Sequence, residues 1–136
     1  MDLEKVIKVA AAGLSAQGAR LQVISQNLAN AESMGATPGA EPYRRKIVTF
    51  RSVLDQTTGV EMVKTGPVAA AGGDFDRRFD PSHPAADKDG YVMVPNVNPL
   101  VELMDMREAQ QSYQANLSVI DAAKSMLSRT LELLHG

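Results

Sequence analysis

Proline confines what this chain can fold into. All seven prolines lie between Pro38 and Pro99. A proline inside a helix removes a backbone donor and clashes with the preceding turn, so only the two ends are free to form long helices. Both carry the period of one. Ile7, Leu14, Leu21 and Leu28 recur every seven residues, and Leu3, Ala10, Gln17, Ile24 and Ala31 form a second row three positions later. This a/d seam predicts a helix over residues 3–30, roughly 40 Å long at about 1.5 Å per residue. At the other end Met106, Tyr113, Ile120, Leu127 and Leu134 are spaced by seven, with a weaker companion row of Leu103, Gln110, Leu117, Lys124 and Leu131. A second helix is expected over 100–134, roughly 50 Å long. Asn98 is placed to cap it and Pro99 to occupy its first position, where a missing N–H is harmless.

The middle reads as a small, loop-rich β region. YRRKIVTF (43–50), VEMVK (60–64) and GYVMV (90–94) have strand character. PVAAAGGDF (67–75) and FDPSHP (79–84) read as loops or turns. The expected fold class is mainly α with a small β region: terminal helices paired as a coiled coil around an irregular middle. The corresponding division is 1–30, 31–97 and 98–136, together one domain.

Charge along the helices bears on partners. From Val9 to Ala31 the only charged residue is Arg20, and AQQSYQANLSVI (109–120) has none. A solvated helix face normally carries several charges. One partner helix covers only one stripe, so the remaining faces call for other subunits. The proposed assembly seam is Ile7, Leu14, Leu21, Ile24, Leu28, Met106, Tyr113, Leu117, Ile120, Leu127 and Leu131. Such helices are marginal alone, so the termini are expected to order on assembly. A cytoplasmic helical adaptor or export chaperone is the rival class, but it should show solvated, charged faces.

Little points to chemistry. The net charge of −2 favours neither nucleic acid nor anionic lipid. The absence of cysteine excludes disulfides and thiolate sites. His83 and His135 have no partner at metal-ligand spacing. DKDG (87–90) fails as a calcium loop, because Ala85 and Asn96 would stand where acids are needed; a tight turn fits better. Arg44, Arg45, Lys46 and Arg51 form the densest positive cluster, which alternation spreads over both faces of a strand. That favours an edge strand or a salt-bridge site over a phosphate patch. No enzyme, cofactor, metal or small-molecule substrate is expected.

SQNLANAES (25–33), where the first helix stops, resembles the amino-terminal signature of flagellar rod and hook proteins, here Ser25, Asn27, Leu28, Ala29 and Asn30. PYRRK (42–46), DPSHPAADKDGYV (80–92), PNVN (95–98) and SYQANL (112–117) narrow the resemblance to the C-type proximal rod proteins of the bacterial flagellar basal body, over essentially the whole chain. The resemblance implies a non-catalytic structural subunit, exported by the flagellar type III apparatus without a cleaved signal. It would polymerise with further copies and other rod proteins in the periplasmic rod, its terminal helices in the core. It also implies that the amides at the helix end bond to neighbouring subunits as well as to local backbone. Asn27 and Asn30 are expected to satisfy backbone groups there, with an amide in left-handed geometry.

Overall fold

A computed structural model describes residues 2–135. Two helices dominate it: α1 spans Leu3–Ala29 and α2 spans Pro99–His135, within a residue of the expected bounds. Asn98 Oδ1 accepts the Leu100 N–H at 3.1 Å and Pro99 takes the first helical position, as the sequence predicts.

Between them lie three two-stranded antiparallel ladders, counted among the described residues. They are β1 (Lys46–Ile47) with β4 (Ala69–Ala70), β2 (Phe50–Asp55) with β3 (Val60–Thr65), and β5 (Asp76–Phe79) with β6 (Tyr91–Val94). Two expectations change. The stretch 43–50 is not one strand: Lys46–Ile47 pairs with β4, whereas Phe50 already belongs to the β2–β3 ladder. The stretch 67–75, read as loop, contributes β4, and β5 occupies the residues between that stretch and the second expected loop, ending on Phe79. All four β5 residues are exposed, so it lacks the apolar alternation that marks a strand in sequence.

The β2–β3 turn is built by Asp55. Its carboxylate accepts the Thr58 hydroxyl at 2.9 Å and the Thr57 N–H at 3.0 Å, and those bonds hold its pKa below the ordinary carboxylate value. The 87–90 stretch is a tight turn. Asp87 Oδ1 accepts the backbone N–H of Asp89 at 2.9 Å and of Tyr91 at 3.0 Å. Gly90 has φ +84°, and a Cβ there would come within 2.9 Å of the Phe79 ring.

The chain divides into two compact units. One comprises α1 up to Leu21, the β2–β3 segment Val48–Pro67, and α2 from Arg107. The other comprises Gln22–Ile47 and Val68–Met106. In the first, α1 and α2 run antiparallel. Gly13 sits against the Asn116 side chain, Gly18 against the Tyr113 ring, and Arg20 lies 3.6 Å from Glu108. The approach is close at Gly13, where an added Cβ would meet the end of the Asn116 amide at 2.8 Å and push that side chain aside.

Candidate functional site

The signature stretch ends α1 inside the second unit. Asn30 turns its amide back on the helix, donating to the Gln26 carbonyl at 2.9 Å, and its Oδ1 accepts the Ser33 hydroxyl at 2.9 Å. No described non-glycine residue has positive φ, so the expected left-handed amide is replaced by this side-chain cap. Gly35 then passes so close to Ala40 that a Cβ would lie 2.7 Å from its carbonyl oxygen. The Tyr43 N–H donates to the Ser33 carbonyl at 2.9 Å, closing the loop. That closure returns residues 43–46 to the last turn of α1, beside Asn27.

Asn27 is only 1% exposed. Its Nδ2 donates to the Lys46 carbonyl at 2.9 Å and, more weakly, to Glu102 Oε2 at 3.4 Å. Its Oδ1 accepts the Lys46 N–H at 2.9 Å and the Tyr43 hydroxyl at 2.7 Å. An amide has two donor hydrogens and two acceptor lone pairs, so Asn27 is saturated within its own chain. No bonding capacity remains for a neighbouring subunit, contrary to what the resemblance implied for this residue.

Glu102, in the first turn of α2, is 0% exposed. A buried carboxylate needs a partner. Arg45 supplies one through Nε and lies 3.7 Å from Asp105 as well. The Arg45 backbone N–H donates to Asn96 Oδ1 at 2.7 Å. Burial raises the Tyr43 phenol above its ordinary pKa, and the Glu102 charge adds to the rise. Two of the four residues of the positive cluster, Arg44 and Arg45, are therefore committed internally. Arg44 stacks 4.2 Å from the Phe75 ring centre and donates to the Ala71 and Gly73 carbonyls. Nothing in this arrangement leaves Arg44 or Arg45 as a phosphate site.

Of the expected seam residues, Ile24 and Ile120 are buried. Ile7, Leu14, Leu21, Leu28, Met106, Tyr113 and Leu117 are half-buried, and Leu127 and Leu131 are exposed. Among the signature residues Asn27 is buried, Leu28 and Asn30 half-buried, and Ser25 and Ala29 exposed. The companion row on α2 runs one residue earlier than the sequence suggested: Glu102, Ala109 and Ala123 are buried and Asn116 is half-buried, while Leu103 is exposed. Small side chains at 109 and 123 let backbones approach, and that outweighs the larger leucines of the neighbouring row. Sequence reasoning noted Arg45 only as part of a positive cluster and missed Glu102. An acid in the first turn of a helix has a ready explanation in the helix dipole, which hid its second role.

Two long helices at the chain ends, leucines left exposed at the end of α2 and an internally saturated polar junction are the features of a subunit built to assemble. Comparison with known proteins makes the class specific. Residues 88–133 match the family described as flagellar basal body rod FlgEFG protein C-terminal. The chain is 51% identical to a flagellar basal-body rod protein FlgC of Agrobacterium fabrum, over 98% of this chain and 96% of that protein. It is 38% identical to the protein of that name in Salmonella typhimurium, over 98% of each chain. With that of Borreliella burgdorferi it shares 36% identity over 100% of both. The chain belongs to the flagellar basal-body rod protein FlgC family, a family of structural rod subunits.

Proposed function

We propose that the chain polymerises through its terminal helices, with further copies and other rod proteins, into the proximal part of the basal-body rod. In that place it serves as a stiff segment of the drive shaft and of the channel wall. It reaches the periplasm through the flagellar type III export apparatus, without a cleaved signal. The seam residues Ile7 to Leu131 named above act in that assembly, and the chain has no catalytic role.

The observation carrying this reading is the apolar surface left at the end of α2: Met126, Leu127, Leu131 and Leu134 are all exposed. Each such residue gains about 1.5–3 kcal/mol when fully buried, and a contiguous apolar face of this kind marks a binding surface. Stiffness follows when many subunits cover one another's helices, because bending then disturbs many packed contacts together.

The test is mass spectrometry of detergent-extracted basal bodies from the source bacterium. The chain should copurify in fixed proportion to the other rod proteins. Its confinement to the cytosol of cells with intact rods would overturn the proposal.

A further inference from the structure

In the first unit, facing residues fix the helix register. Gly13 lies against Asn116, Gly18 against Tyr113 and Arg20 beside Glu108. Continued along the antiparallel pair, this register brings Leu3, where α1 begins, opposite about Met126. Yet α2 runs on to His135. Residues 127–135 therefore extend past the first turn of α1. Burial agrees: Ala123 is the last buried position, and every described residue from Lys124 onward is exposed, Leu133 at 84% and Leu134 at 77%.

The overhang continues the seam that α1 covers inside the chain. Tyr113 and Ile120 are covered members of a seven-residue row that goes on as Leu127 and Leu134. With Leu131, these leucines stand at i, i+4 and i+7, one stripe of a helix. A stripe continuous with an α1-covered seam is shaped for an α1 surface, and every copy of the chain carries one.

That surface has a matching groove. On the same unit, Ala12, Ser15 and Ala16 of α1 and Val63, Lys64 and Thr65 of β3 line a groove of about 260 Å³. Small side chains on its helix wall leave room for large ones to enter. Lys64, exposed on the strand wall, complements Glu132, which flanks the leucine stripe.

We propose that the α2 overhang, through Leu127, Leu131 and Leu134, docks into the Ala12/Ser15/Ala16–β3 groove of a second copy of this chain. The two surfaces differ, so the contact is heterologous: it leaves one overhang and one groove free at the ends and repeats from copy to copy. This docking rests on the rod-subunit function proposed above.

The cysteine-free chain permits a direct test. Ser15→Cys and Leu131→Cys are introduced together into the full-length chain, expressed in a strain lacking the native copy, and basal bodies are extracted and oxidised. Within one chain the two positions are separated by roughly 25 Å along the paired helices, at about 1.5 Å per residue. A disulfide requires Cα atoms about 4.4–6.8 Å apart, so any bond joins two copies. The expected result is a cross-linked dimer and higher species that need both cysteines. Rods that contain the double variant and support motility but give no such species would overturn the docking and leave the rod function standing. Dimers formed by Leu131→Cys alone, without Ser15→Cys, would replace the heterologous contact with a symmetric one and also overturn it. If the chain is absent from the basal bodies of motile cells, the rod function itself fails and the docking falls with it.

Discussion

The junction around Asn27 and the far end of α2 use opposite means. At the junction, polar groups are buried and satisfied one against another: the Asn27 amide is saturated, and Glu102 has Arg45. At the far end, leucines are exposed, with none of the described residues covering them. A saturated junction is specific and self-contained, and its geometry needs no neighbour. An exposed leucine stripe is permissive and incomplete. The contrast separates what builds the subunit from what is left to join subunits together. It also assigns the sequence motifs to the first task. PYRRK supplies Tyr43, Arg45 and the Lys46 backbone to the junction, PNVN supplies Asn96 and the Asn98 cap, and SYQANL packs Tyr113 and Asn116 against the α1 glycines.

The contrast breaks most visibly at Arg45. Arg45→Met leaves the fully buried Glu102 carboxylate without its cation, and removing one partner of a buried pair costs about 3–5 kcal/mol. Urea unfolding of the purified chain should show that loss. A midpoint unchanged from the parent would mean that the junction does not hold the subunit together. Helix approach is the next largest effect. Gly13→Leu forces a large side chain against Asn116, and overpacking of this kind costs about 1–3 kcal/mol. Gly13→Ala should stay within about 1 kcal/mol of the parent, since only the end of a flexible amide must move and the added methyl favours helix. Thermal melts of the pair distinguish them, and equal melts would show that the helices are not closely apposed at this point.

At the overhang the expectation reverses. Leu131→Asp should alter the stability of the free chain by no more than about 0.5 kcal/mol, as surface changes generally do, while incorporation into rods falls sharply. Equal loss of folding and assembly would erase the distinction between the two regions. The smallest effect is at Asp87. Its pKa is lowered, first by the Tyr91 N–H and further by the Asp89 N–H and Arg77. A depressed folded-state pKa contributes stability that is present above the ordinary carboxylate range and lost as pH falls through the folded value. Hydrogen exchange at the Tyr91 amide should therefore lose protection on acidification below that range. Asp87→Asn should abolish that pH dependence.

Much of this was legible in the sequence because its causes are local. Proline placement and the seven-residue repeat located both helices, Asn98 and Pro99 marked the start of α2, and DKDG marked its turn. The short strands were harder. β4 and β5 pair in two-stranded ladders with exposed faces, and without a buried face there is no alternation to detect. The junction escaped for another reason: Asn27 and Glu102 are 75 residues apart in the chain, and nothing in either neighbourhood announces the other.

The sequence by itself determined where the chain is helical, where it is irregular, and that both helices carry more apolar surface than charge. Only the tertiary structure decided which stripe of each helix is covered. A heptad repeat sets the spacing of a seam but not its rotation when alanine and glycine are spread around the helix. Close approach at Gly13 and full burial of Ala109 go with the row of small residues rather than the row of leucines. The same packing settled that Asn27 is spent within the subunit and that the leucines at the end of α2 are not. Hydrogen-bond saturation and helix register depend on which distant residues meet, and that is a property of the folded chain.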